Sequence, residues 1–404
     1  MQFSSQPFLT KYCTVFLFIY SMFYIPLDGY TISPIKVGLM AISIIMMFFY
    51  SLKASKALII GCIYLITQYL IAQFHPTSFR WSTLIYSFLL VFCYISFYNF
   101  VCIEKVFKIE YFIKFLKLYI TVFFVVCVIQ QVFIVAGVQT FKLINLCYSL
   151  DRDLWSNSLA IEPSHFARYM LVAYYAYVKC NEYKRDEGPF TLRELFSGEH
   201  RNISLMFLWM MLTMGSGTAF VCLILLSLYF VRWHNWYYVI PVLIISYMVI
   251  QESSIEALDR ATSTIEATAT LDKDAVIEAD GSASARITPL LNSLTADFTK
   301  VETWLGYGID SGIRDKYNRT MFHDYGFIHY IISLILCFSC AYNFWSLGTI
   351  FMFAGVGGGA GGNVQYLWAL MMVMTCVKYF YKNRYNPEIY EEEEVSPLPT
   401  PVER

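Results

Sequence analysis

Long apolar runs broken by short polar turns fill the first 250 residues of this 404-residue chain. Crossing a hydrocarbon core of about 30 Å takes roughly 17–25 apolar residues in a helix. The runs predict spans at Tyr12–Pro26, Ile35–Leu52, Ala57–Gln73, Ser82–Val101, Phe112–Ala136 and Ser164–Val178. The stretch Ile203–Val231 is too long for one untilted helix, and Met214-Gly-Ser-Gly-Thr218 within it marks a turn between two short spans. Trp236–Ile250, Gly326–Trp345, Leu347–Val356 and Tyr366–Tyr381 follow. The pattern therefore predicts an all-α polytopic membrane protein of about twelve transmembrane helices. Residues 1–250 carry helices 1–9, 251–322 a large, partly helical loop, 323–384 helices 10–12, and 385–404 an acidic tail.

The large loop is a change of composition. Gln251–Phe322 holds 12 Asp and Glu against 7 Lys and Arg, and no aromatic residue occurs before Phe298. Within it Leu290, Leu291, Leu294, Phe298, Val301 and Leu305 share one face of a predicted amphipathic helix, Ile287–Leu305, with Thr288-Pro289 as its start signal. That face suits the membrane surface. The glycine run Gly355–Gly362 has no strand before it and no lysine after it, so it reads as a turn between spans and not as a phosphate loop.

Lysine and arginine orient the spans. With the N-terminus inside, alternate turns carry Lys53 and Lys56, Lys105 and Lys108, then Lys179, Lys184, Arg185, Arg193 and Arg201, then Arg232, and finally Lys378, Lys382 and Arg384. Both termini are expected in the cytoplasm and the large loop on the far side. Charged residues make up only 15% of the chain, against about a quarter in soluble domains, so lipid is the expected solvent for much of the surface. The net charge is −1 and no basic patch is interleaved with aromatics, which argues against a nucleic-acid partner. Most of the 11 cysteines lie in apolar runs, so neither a disulfide framework nor a metal site is indicated. No cofactor motif is present.

Arginines and histidines expected on the far side carry the candidate chemistry. Arg168 lies about one turn inside the sixth span, where charge is costly and functional by default, and it shares a helix face with Glu162 and His165. Glu162 has a plainer use as a complement to the helix N-terminus ahead of Pro163. Arg286, Arg314 and Arg319 belong to the large loop. Arg80, next to Trp81, is either a site residue or an interfacial anchor. Arg152 stands between Asp151 and Asp153, which marks a surface ion pair. Guanidinium groups take phosphate bidentately, so these arginines suit a lipid diphosphate. His323, at the start of the tenth span, is placed to accept a proton from a hydroxyl, while His329, deeper in the span, reads as a packing or hydrogen-bonding residue.

Three stretches together resemble the O-antigen polymerases and, more loosely, their related ligases. They are Glu162-Pro-Ser-His-Phe-Ala-Arg168; Leu212-Thr-Met-Gly-Ser-Gly-Thr218, with glycine or serine where that family often has arginine; and Ser282-Ala-Ser-Ala-Arg286 followed by Trp304-Leu-Gly-Tyr-Gly308 and His323-Asp-Tyr-Gly326. The resemblance covers residues 155–345. It implies a metal-independent, multi-span glycosyltransferase of the GT-C-like kind in a bacterial inner membrane. Such an enzyme polymerises undecaprenyl-diphosphate-linked repeat units at the periplasmic leaflet, with a chain-length-regulating membrane protein as a further partner. It further implies that Arg286 and Arg168, with Arg80, Arg314 and Arg319, bind diphosphate, and that His323 or Glu162, with His165 beside it, is the base. The ligase that transfers finished polymer to lipid A-core is the nearest alternative. A polysaccharide flippase is the alternative without catalysis, although flippases are usually built from two similar halves.

Overall fold

The computed structural model describes residues 6–22, 33–76, 80–137, 156–185, 188–214, 216–230, 295–308, 321–341 and 365–390, with single positions 263 and 266. Every regular element among them is helical. In chain order these are α1 (Gln6–Ser21), α2 (Pro34–Tyr50), α3 (Lys56–Phe74), α4 (Trp81–Cys102), α5 (Ile109–Val135), α6 (Pro163–Lys184), the single turn α7 (Leu192–Leu195), α8 (Arg201–Thr213), α9 (Gly217–Ser227), α10 (Val301–Leu305), α11 (Met321–Phe338) and α12 (Gln365–Asn383). Where they fall on described residues, the expected spans overlap helices, and the long stretch is divided near Met214–Thr218, although the ends of the spans expected at Tyr12–Pro26 and Gly326–Trp345 lie outside the described residues. The spans expected at Trp236–Ile250 and Leu347–Val356 lie outside the described residues.

Three helices, α3, α4 and α5, are long and apolar enough to cross a membrane by length and composition. Their surroundings differ. α4 is largely buried, packed by α2, α3 and α12. α3 and α5 instead turn apolar faces outward, as at Ile59, Ile63, Ile66 and Leu70, each about half exposed. A stripe of that length is unstable against water and suits hydrocarbon. α6 is buried on nearly every face among α5, α8, α9 and α12. Gly61 lets α3 lie close on α4, since a Cβ there would sit 2.8 Å from both Val91 and Ile95.

The basic turns gather at one end of the bundle. Lys53 pairs with Glu104 at 2.9 Å, Lys184 with Glu110 at 3.2 Å, Lys117 with Glu199 at 3.3 Å and Arg185 with Glu194 at 3.1 Å. The chain following α12 returns to the same end. Glu388 meets Lys105 at 3.0 Å and its carbonyl accepts from Lys108, while the Tyr390 hydroxyl donates to the Tyr183 carbonyl. Gln6, at the head of α1, donates to the Lys105 carbonyl. The heads of α2, α4, α6 and α11 therefore share the opposite end with the tails of α3 and α5.

The helix expected at Ile287–Leu305 is corrected in its described part. Asp297 Oδ1 accepts from both the amide and the hydroxyl of Thr299, and its carbonyl accepts from Thr303. These local bonds compete with the helical ladder, so among the described residues 295–308 only Val301–Leu305 is helical. Phe298 and Trp304 pack edge-on against Phe327 of α11, at 5.1 and 5.6 Å between ring centroids. Both rings thus rest partly on α11, while Val301 remains largely exposed.

Candidate functional site

At the end opposite the lysines, the chain crosses itself at two glycines. Gly306 (φ 75°, ψ −177°) ends α10, and Gly326 (φ 75°, ψ 177°) interrupts α11. Only glycine adopts this backbone region readily. The Tyr307 amide donates to the His323 carbonyl at 2.9 Å and the Gly308 amide to the Asp324 carbonyl at 3.0 Å. A Cβ on Gly306 would lie 2.4 Å from the Asp324 oxygen, and one on Gly326 2.3 Å from the Trp304 oxygen. Two segments singled out in the sequence are therefore in backbone contact. The crossing stacks the Tyr307 ring on His323, with centroids 4.6 Å apart and planes 17° apart. His323 Nδ1 lies 3.1 Å from the Asp324 carboxylate, so a proton held there leaves Nε2 as the basic nitrogen of the ring.

Beneath this crossing α11 is fixed to α3 and α4. His329 is fully buried, with Nδ1 2.9 Å from the Thr67 hydroxyl and its ring beside those of Tyr64 and Tyr325. Gln68 donates to Ser87 of α4 and to Tyr325, both at 3.1 Å. His329 is thus the packing and hydrogen-bonding residue the sequence suggests.

A second group lies at the head of α6. The Glu162 carboxylate accepts from the Ser164 hydroxyl and sits 3.2 Å from His165 Nε2. Glu162 is the N-cap residue of α6 and makes no side-chain cap bond, so what it offers the helix N-terminus is the charge of its carboxylate. Arg168, about a turn further in, is only 6% exposed. The turn before Glu162 is buried against α5, which the sequence reading missed. Gln130 donates to Asn157 Oδ1 and the Ser158 carbonyl, both at 3.0 Å, and accepts the Ser158 amide at 2.7 Å. Ser158, at φ 48°, donates its hydroxyl to the Phe123 carbonyl at 2.7 Å. Gln131 extends the network to Thr213 of the α8–α9 join and accepts from Trp209. Two polar residues inside an apolar span were the available signal.

The structure brings Glu162 to His165, and separately His323 to Asp324 and Tyr307. The two groups sit on different neighbours, since α6 packs on α5, α9 and α12 whereas α11 packs on α3 and α10. Arg80 is exposed at the N-cap of α4 and makes no side-chain cap bond. Arg286, Arg314, Arg319 and Arg152 lie outside the described residues. Among the described residues no three or more His, Cys, Asp or Glu side chains gather as a metal ion requires, and the cysteines are free thiols.

At the lysine-rich end, Thr191 and Glu194 form a reciprocal capping box. The Glu194 carboxyl is held down to about 2, first by the Thr191 hydroxyl, then by the Thr191 amide and Arg185. The Glu199 carboxyl is lowered chiefly by the charge of Lys117, and His200 is lowered chiefly by burial.

The fold and site thus define an all-helical protein with helices fit to cross a membrane and two polar groups at one end of the bundle. Comparison of the chain with family models, with curated proteins and with solved structures gives no match.

Proposed function

We propose that this protein is a multi-span, metal-independent glycosyltransferase of the inner membrane that polymerises undecaprenyl-diphosphate-linked repeat units into O-antigen. One observation carries the reading: the glycine crossing seats His323 beside Asp324 and Tyr307, using two of the segments on which the family resemblance rests. In the proposed reaction an acceptor hydroxyl oxygen bonds to the donor's anomeric carbon as the bond from that carbon to the diphosphate oxygen breaks. The hydroxyl proton passes to His323 Nε2 or to Glu162, and the diphosphate leaves with both electrons of the broken bond. Cationic groups stabilise that leaving group, the role given to Arg168, Arg286, Arg80, Arg314 and Arg319. The cytoplasm then lies at the lysine-rich end.

Deletion of the gene, with surface lipopolysaccharide resolved on a gel, tests the reading. Core capped with single repeat units supports a polymerase. Lipid-linked polymer without transfer to core indicates the ligase, loss of all surface repeats indicates the flippase, and an unchanged ladder refutes all three.

A further inference from the structure

The buried face of α2 runs through Ser33, Lys36, Met40, Ser43 and Met47. It begins with a lysine that has no counter-charge among the described residues. Lys36 is 4% exposed, and its ammonium lies 5.4 Å from the centre of the Tyr20 ring on α1. No carboxylate among the described residues is within ion-pair distance of it. A buried ammonium is costly unless an anion or several acceptors face it, and one aromatic face offsets only part of that cost. The same end carries other unanswered donors. Ser33 is the N-cap residue of α2, yet its hydroxyl makes no cap bond and, among the described residues, is buried without a hydrogen-bond partner. The Tyr20 hydroxyl likewise is buried with no partner among the described residues. Ser33 and Lys36 are both buried at the head of α2, alongside the first amides of the helix.

We propose that the head of α2 is a binding site for a phosphate or diphosphate group, held by Lys36, Ser33 and Tyr20. The ammonium supplies the charge, both hydroxyls donate to anionic oxygens, and the helix N-terminus adds a favourable dipole. Lys36 lies at the end of the bundle away from the clustered lysines, so the anion is taken up at that end. An inorganic phosphate species and the head group of a prenyl diphosphate lipid present the same chemistry there. The site does not depend on the glycosyltransferase reading, because its occupancy is read without any acceptor sugar.

The full chain in detergent micelles is titrated with inorganic diphosphate and, separately, with farnesyl diphosphate, in EDTA. Farnesol is the uncharged control, and thermal unfolding is the readout. A saturable rise in Tm is expected with farnesyl diphosphate or with both anions, and not with farnesol. A response to farnesyl diphosphate alone assigns a lipid-linked anion; equal responses assign the free group. Lys36→Met should abolish the response while leaving the ligand-free Tm equal or higher, because it removes an unpaired buried charge. Ser33→Ala and Tyr20→Phe should each weaken binding about tenfold, the worth of one charge-assisted hydrogen bond. Lys36→Arg should retain it. No response in the unaltered chain, or the same response in Lys36→Met, overturns the site. Should Lys36→Met not fold, unchanged binding in both Ser33→Ala and Tyr20→Phe overturns it equally. A chain that binds diphosphate through Lys36 but whose deletion leaves the lipopolysaccharide ladder unchanged keeps the site and refutes the proposed function.

Discussion

Gly306 and Gly326 are each the reason the other must be glycine. Each has φ 75°, and a Cβ on either would come within 2.6 Å of the other's backbone nitrogen. The crossing joins the first turns of α11 to the segment just after α10 and sets the stacking of Tyr307 on His323. Gly306→Ala or Gly326→Ala should therefore cost at least about 1–3 kcal/mol from backbone strain, with steric overlap added. Thermal unfolding of the purified chain measures this. Gly188→Ala is the control: it also has positive φ, but nothing lies within 4 Å of its Cβ position, so strain alone is expected. Equal losses at Gly188 and Gly306 would mean the close approach contributes nothing.

The buried turn before α6 provides a second test. Gln130 makes three hydrogen bonds to Asn157 and Ser158, and Gln130→Leu leaves those partners buried without it. A buried group left unpaired costs about 1–3 kcal/mol, so a loss of about 3 kcal/mol or more is expected. Ser158→Gly should be milder than Ser158→Ala. Both lose the bond to the Phe123 carbonyl, but only glycine relieves the strain of φ 48°. The order of their melting temperatures decides the point.

Much of the helix arrangement was legible because long apolar runs form helices, and run length alone located most of the described ones. The two glycine motifs were legible as motifs, but not their meeting, since positions 306 and 326 are joined by backbone geometry that no periodicity encodes. Gln130 was not legible as an anchor because its partners lie 27 and 28 residues further on. The break at Asp297 was hidden for the opposite reason. Leu294, Phe298, Val301 and Leu305 continue a helical period, while Asp297 instead bonds to Thr299 two residues away, outside any helix. Lys36 went unmarked because one lysine at the head of an apolar run resembles an interfacial anchor. The structure shows it buried.

The Thr67–His329 contact ties α3 to α11. Thr67→Val keeps the shape of the side chain and leaves His329 Nδ1 without its hydroxyl partner. An unsatisfied buried group of this kind costs about 1–3 kcal/mol, so Tm should fall, with folding retained. No change in Tm would show that the contact contributes no net stability.

Acid should loosen the turn at α7 before the bundle. The Glu194 carboxyl is depressed from an ordinary 4.5 to about 2 in the folded chain. A carboxyl with a lowered folded value contributes its stability above the unfolded value and loses it as pH falls toward the folded one. The capping box should therefore hold above about pH 4.5 and weaken between there and about pH 2. Amide exchange at Glu194 and Leu195, whose amides are held by Thr191, reports this directly. Glu194→Gln should remove the pH dependence. High salt should reduce the part due to Arg185, because the carboxylate is exposed and screened.

Which group takes the proton in the proposed transfer is decided by comparing the two polar groups at the end opposite the lysines. His323 is oriented by Asp324 and by the Tyr307 ring, and Glu162 by Ser164 and His165. General-base assistance is worth about 10²–10⁴-fold in rate. If His323 is the base, His323→Ala should reduce polymer to single repeat units at normal protein level. Asp324→Asn, which keeps a hydrogen-bond acceptor beside Nδ1, should then retain partial activity, and Glu162→Gln should leave long chains. The reverse assignment predicts severe loss in Glu162→Gln, and partial loss in Ser164→Ala, which removes a donor to the same carboxylate. Lipopolysaccharide ladders from the chromosomal variants separate the two. Full-length ladders from both His323→Ala and Glu162→Gln would exclude both groups as the base and leave acceptor activation to a residue outside them.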